Sequence, residues 1–237
     1  MQTSIQTKKT VKLLSAGSTN AKTAKNEINT FILYLAPADT IGTHNLCPFA
    51  SDGCKKACLY SAGRGAFSNV QQARINKTKF WANDREQFYI TLANELLQIH
   101  SKGQQTAIRL NGTSDIDHIS LLFRYTGINF LAPEYSNLLF YDYTKSFKHW
   151  QKYHGTNYKV TFSRSEINEA QCIEVLLNGG NIAAVFSDAL PQFYKGFPVI
   201  DGDKTDLRYF DPAGVIVGLK AKGKAKKDLS NFVINKY

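Results

Sequence analysis

The sequence predicts an α/β fold, a single-domain β/α barrel-like arrangement of the partial or distorted TIM type, and three observations predict it. Short apolar or β-branched runs recur along the chain, helical periodicities lie between several of them, and nearly every run ends in polar residues. A chain of 237 residues can bury one core of this kind, and neither an internal repeat nor a long low-complexity linker divides it. Residues 1–237 are therefore read as one domain, with 1–28 as an N-terminal extension and 220–237 as a basic C-terminal tail.

The first predicted strand is Thr30–Leu35, and a cysteine-rich loop follows it. Between Val70 and Ile99, Phe80, Phe88, Leu92, Leu96 and Leu97 recur at spacings near three and four, which predicts helix. Thr106–Leu110 is the next strand, closing on Asn111-Gly-Thr-Ser-Asp115. Asn137–Tyr141 runs into Asp142-Tyr-Thr-Lys145, and Lys159–Phe162 into Ser163-Arg164-Ser165. A helix is expected over Ile167–Leu177, with Asn178-Gly-Gly-Asn181 as its C-cap and turn. Asn181–Phe186, Pro198–Ile200 and Gly214–Leu219 complete the strands, ending at Ser187-Asp188, Asp201-Gly-Asp203 and Lys220. In a parallel sheet, binding groups collect beyond the carboxyl ends of the strands, so these polar ends are expected to share one site.

No segment carries the roughly 18 uninterrupted apolar residues that span a bilayer, and the N-terminus lacks an apolar core followed by a small-residue cleavage site. A cytoplasmic protein with no membrane partner is expected. Lysine and arginine outnumber aspartate and glutamate 29 to 19, a formal charge of +10 that draws in polyanions. Lys220, Lys222, Lys224, Lys226 and Lys227 crowd one stretch, with only Gly and Ala between them, and suit phosphate contacts. Nucleic acid, as single-stranded DNA or RNA, is the expected partner.

Three of the four cysteines lie within twelve residues, as Cys47, Cys54 and Cys58 in a C-x6-C-x3-C arrangement. In a reducing compartment this density points to metal rather than to disulfides. Soft thiolates select iron–sulfur clusters, zinc or copper, and Pro48 and Gly53 let the loop fold around a compact group. Three thiolates suit a 4Fe-4S cluster with one open iron or a 3Fe-4S cluster; zinc would take His44 as a fourth ligand. Cys172, inside the second helix, is read as core packing and alternatively as the fourth ligand.

Leu35-Ala-Pro-Ala-Asp39, the cysteine cluster, Ala62-Gly-Arg64-Gly, Val70-Gln-Gln-Ala-Arg74 and Arg109-Leu-Asn-Gly-Thr-Ser-Asp115 together resemble the phage-encoded gene product 88 family, over roughly residues 30 to 220. That family in turn looks remotely like radical S-adenosylmethionine enzymes, which place a three-cysteine loop after the first strand of a β/α barrel. The resemblance implies a phage origin, the cytoplasm of a bacterial host and a bound cluster, with S-adenosylmethionine as a possible second cofactor. The spacing departs from the C-x3-C-x2-C of the radical enzymes, so cofactor cleavage does not follow from it.

Arg64, between two glycines near the cluster, and Arg109, at a strand end, are candidates for binding an anion, as is Arg164; Arg74 and Arg85 read as a solvated helix face. Asn111, Ser114 and Asp115 either orient a ligand or cap a turn. Tyr141, Tyr143, Trp150, Tyr153 and Tyr158 interleave with Lys145, Lys148, Lys152 and Lys159, a pattern that suits stacking on unpaired bases. The expected functions are an iron–sulfur protein that binds nucleic acid, a radical or other redox enzyme, or a zinc-stabilised binding protein.

Overall fold

All seven expected strands form, and three short ones join them in a ten-stranded sheet. The structure is a computed structural model that describes residues 11–19, 28–58, 60 and 63–235. Most of the proposed N-terminal extension lies outside the described residues.

β1 (Leu14–Ala16) is an edge strand, antiparallel to β2 (Asn29–Leu33). β3 (Thr106–Arg109), β4 (Leu138–Thr144), β5 (Lys159–Ser163) and β6 (Ile182–Phe186) follow, each parallel to the one before. The last two long strands exchange places, because β9 (Ile216–Lys220) inserts between β6 and β8 (Phe197–Asp201), while β7 (Phe193–Tyr194) hairpins onto β8. The order β1-β2-β3-β4-β5-β6-β9-β8-β7 leaves an open sheet, which corrects the barrel expected from the sequence. A barrel needs its end strands to pair, and here both outer strands are two- or three-residue antiparallel caps.

β10 (Val233–Ile234) pairs with β6 through Val233↔Val185 and Ile234↔Phe186. Since β9 occupies one edge of β6 along its length, β10 takes the other edge where β5 leaves it after Ser163. The stretch expected as a tail is thus tied into the sheet at β9 and at β10, with a 3-10 segment, Gly223–Lys227, between them.

The long helical pattern resolves into α2 (Ser68–Asn83) and α3 (Arg85–His100), after a short α1 (Asp52–Lys56). Asp84 breaks it: its backbone is non-helical, and its carboxylate accepts from Gln87 N–H at 3.1 Å, an N-cap that starts a new helix. α4 (His118–Thr126), α5 (Phe147–Tyr153) and α6 (Glu169–Leu177) fill the later crossovers. Leu92 and Leu96 of α3 and Leu122 of α4 pack with Ile108 and Phe140 into one core, and Val175 and Leu176 of α6 pack with Phe162 and Ile216 into another. No helix among the described residues is long and apolar enough to cross a membrane.

His118 is fully buried in the first core, its Nδ1 3.0 Å from Tyr89 Oη. Burial holds its pKa at about 3, far below the ordinary 6.5. The unfolded chain takes up this proton near 6.5 and the folded chain only near 3, so His118 contributes stability above pH 6.5 that is lost as pH falls through that window. Urea unfolding midpoints are expected to drop with acid across it, and His118→Gln should flatten the dependence.

Candidate metal and nucleic-acid site

Parallel strands bring their carboxyl ends to one edge of the sheet, and the cysteine loop lies across that edge. Leu46 N–H donates to Ala38 O (3.1 Å) and Asp115 N–H to Leu46 O (2.8 Å), so the loop after β2 is laced to the loop after β3. Asp115 passes the connection on, accepting from Thr144 Oγ1 (2.7 Å) and Lys145 N–H (2.8 Å) beyond β4. Ala38, whose N–H donates to Cys47 Sγ at 3.4 Å, is held at φ 45°, a left-handed conformation disfavoured for a residue with a Cβ.

Glu166, beyond β5, fixes the second half of the loop. Its carboxylate accepts from Gly53 N–H and Ser51 Oγ, each at 2.8 Å, while Ser51 Oγ accepts from Cys54 N–H at 3.2 Å. Burial pushes the Glu166 carboxyl up, but the N–H groups of Glu166 and Gly53 and the Ser51 hydroxyl outweigh it and hold the pKa below the usual value. A Cβ on Gly53 would collide with Ser230 Oγ and stand 2.7 Å from Phe232 Cβ and 2.8 Å from Glu166 Oε2. Gly53→Ala is therefore expected to cost about 1–3 kcal/mol and to loosen α1, read by urea unfolding and by faster hydrogen exchange over 52–57.

The three thiols are half-buried and lie within one another's electrostatic reach. Cys47 is pushed up to about 12, by burial first and by the neighbouring Asp115, Cys54 and Cys58, against the Ala38 N–H. Cys58 is raised by burial too, opposed by the Tyr60 N–H and the charges of Lys145 and Arg74. Among the described residues, no group of three or more His, Cys, Asp or Glu side chains is arranged to hold a metal ion. The donor set fits a thiolate-bound group only in its chemistry: the three cysteines influence one another electrostatically, and Lys145 and Arg74 act on Cys58. Burial thus favours the protonated form of Cys47 and Cys58, a preference that a bound cation would reverse.

His44 turns its ring edge-on to Trp81, 5.5 Å away, and its Nδ1 lies 3.1 Å from Thr43 Oγ1. Cys172 is 1% exposed within the α6 core, its Sγ donating to Asn168 Oδ1 at 3.5 Å. Beside Cys47 a cleft of about 430 Å³ is lined by Asn45, Pro48, Phe49, Trp81, Asp115 and His149, among others.

The other sequence candidates divide. Lys145 belongs to the site, acting on Cys58 and lying 5.5 Å over the Phe232 ring. Arg164 donates to the carbonyls of Asn231 (2.6 Å) and Phe232 (3.0 Å), and so pins the segment before β10. Asn111 and Ser114 are spent on the turn: Asn111 Oδ1 accepts from Ser114 Oγ and Ile116 N–H, each at 2.9 Å. Arg109 reaches Asp206 at 2.6 Å and lies 4.7 Å over the Tyr143 ring, with Tyr143 Oη donating to Asp206 at 3.5 Å. Tyr141, Trp150, Tyr153 and Tyr158 are buried, which removes them from base stacking. Arg64 is exposed in the 3-10 segment Gly63–Ala66; Ala62 of the same motif is outside the described residues.

Arg74 is the main surprise. Far from a solvated face, it is 9% exposed, 4.7 Å over the Tyr34 ring and 5.6 Å over the Tyr60 ring. Arg85 likewise lies against protein, 4.2 Å over Trp81. The signal was present in α2: Arg74, Thr78 and Trp81 are its buried residues, at i, i+4 and i+7.

Of the basic stretch, Lys222 pairs with Asp203 at 2.7 Å, and the Lys220 N–H donates to the same carboxylate. Lys224, Lys226 and Lys227 are exposed on the 3-10 segment 223–227. That segment packs against the cysteine loop, since Ala221 and Ala225 share a small core with Ala57, Cys54 and Phe232. Lys55 and Lys56 of α1 are exposed beside it.

A family profile described as Gene product 88 matches residues 6–236. No curated protein and no solved structure matches the chain.

Proposed function

The chain belongs to the gene product 88 family, and from that premise we propose that it is a phage-type protein that holds an iron–sulfur cluster, of the 4Fe-4S or 3Fe-4S type, on Cys47, Cys54 and Cys58 and binds single-stranded nucleic acid beside it. The setting is the cytoplasm of a bacterial host, whose reducing poise keeps thiols free. One observation carries the reading: Cys54 of α1 and Ala57 just after it pack with Ala221 and Ala225, so this part of the cysteine loop lies beside Lys55, Lys56, Lys224, Lys226 and Lys227. Thiolates of this softness favour iron–sulfur groups, which when bound supply electron transfer. The chain supplies the rest: Glu166 and Ser51 fix the loop, and the lysines neutralise phosphates.

Gel-shift titrations of holo-protein with single-stranded oligonucleotides across salt test the nucleic-acid half. Replacing Lys224, Lys226 and Lys227 together by Ala should reduce the slope of log K against log salt by about 2, at roughly 0.7 per phosphate contact. A holo-protein that shifts no oligonucleotide at low salt would end this half of the reading.

The cleft beside Cys47 favours a second reading, a redox enzyme of the radical S-adenosylmethionine kind, because Asp115 and His149 face space for a small molecule there. Reductive cleavage of S-adenosylmethionine by reduced protein would support it, and an intact cofactor would count against it. Zinc in place of iron remains the alternative cofactor, distinguished by metal analysis.

A further inference from the structure

We infer that Arg74 and Tyr60 form an anion-compensating wall of the cysteine site, which fits it to a metal–thiolate group of net negative charge. The inference rests on the reading of Cys47, Cys54 and Cys58 as ligands. Arg74 is nine-tenths buried, yet among the described residues no carboxylate pairs with it, and its Nε has no hydrogen-bond partner. The Tyr60 hydroxyl is likewise buried without a partner. The Tyr60 ring lies 5.6 Å from the guanidinium, the Tyr60 N–H and the Arg74 charge both act on Cys58, and so two orphaned donors and a cation with no carboxylate partner among the described residues lie beside that thiol.

The arrangement is built rather than incidental. Tyr34 lies under the guanidinium, and its ring fits because residue 112 is glycine: a Cβ there would come within 2.5 Å of Tyr34 Cδ1. One turn along α2, Thr78 Oγ1 donates to Arg74 O and accepts from Ala36 N–H, each at 2.8 Å, which ties the register of the helix to the start of the cysteine loop. Lys145, also near Cys58, has Asp115 for company, whereas Arg74 has no carboxylate partner among the described residues. A buried cation is costly when unpaired and tolerable when an anion meets it. Three thiolates around a doubly positive core leave one net negative charge, the sign this wall requires.

The test compares Arg74→Met, Arg74→Lys and Tyr60→Phe with wild type, each as metal-free protein and after anaerobic loading with iron and sulfide. Metal-free Arg74→Met should unfold at the same temperature as wild type or higher, because it removes an unpaired buried charge. Loaded, it should hold iron at least about tenfold less tightly in chelator competition, and its reduction potential should fall by the equivalent of about tenfold, 59 mV for one electron. The potential falls because a lost cation disfavours the more negative, reduced form. Arg74→Lys should recover part of both effects, and Tyr60→Phe should lower the potential with the metal-free protein unchanged. Arg74 variants that load and titrate like wild type would overturn the inference alone, as would an equal loss of stability in the metal-free and loaded forms. A wild type that takes up no metal would overturn it together with the function on which it rests.

Discussion

Replacing Cys54 by alanine is expected to lower the affinity of the chain for iron by more than about 100-fold, since even groups that only orient a metal ligand cost roughly 10–100-fold when changed. The fold should survive. Cys54 is half-buried against Ala57, Ala221, Ala225 and Phe232, a small-residue contact that alanine can keep. The hydrogen bonds that hold the loop run through Ser51, Gly53 and Glu166 and touch Cys54 only at its backbone N–H. Iron, sulfide and zinc analysis of anaerobically purified wild type and variant, with absorption spectra, gives the answer. Cys172→Ala is the control: Cys172 belongs to the α6 core and should leave iron content unchanged. Equal iron in wild type and Cys54→Ala would remove the loop as a ligand set, and stoichiometric zinc would make it a structural metal site.

The second large effect is expected away from the cysteines, at Arg109→Met, with a loss of about 3–5 kcal/mol. Arg109 bridges two carboxylates, Asp206 at 2.6 Å and the 1%-exposed Asp142 at 3.8 Å from Nε. Asp142 also accepts from the N–H groups of Leu110 (3.0 Å) and Asn111 (2.8 Å) and from Tyr158 Oη (2.9 Å). Burial is the strongest influence on Asp142 and raises its pKa to about 7 against Arg109 and these hydrogen bonds. Such an acid is favoured in the fold below its ordinary 3.8, and that advantage is lost as pH rises through about 7. Without the guanidinium the penalty grows, so the variant should be weakest above neutrality and partly recover toward pH 4. Urea unfolding at several pH values checks both size and direction. A variant as stable as wild type would return Arg109 to the list of ligand-binding candidates.

Local pattern carried the strands. Each of the seven expected runs became a strand within a few residues, because an apolar run flanked by polar groups is itself the requirement for a buried parallel strand. β1, β7 and β10 are two or three residues long and leave no pattern to read. Closure was not legible, since the exchange of β8 and β9 depends on pairing between distant segments. The cysteine cluster could be read from spacing, and the edge it lies across from strand order. Glu166 could not, because its partner Gly53 lies 113 residues away and nothing near Glu166 announces the contact. Arg74 hid for a different reason: Gln71, Gln72 and Asn76 around it are polar, and only its distance to Thr78 and Trp81 marked the buried stripe.

The position of β10 has a consequence in time. The thiols at 47–58 leave the ribosome early, whereas Ser230 and Phe232, which crowd Gly53 from below, are among the last residues described. At roughly 5–20 residues per second, on the order of 10 seconds or more separate the two. Throughout that interval the nascent loop has no floor and its sulfurs stand open to any metal or oxidant nearby. The loop is enclosed only once β10 has been made and pairs beside β6.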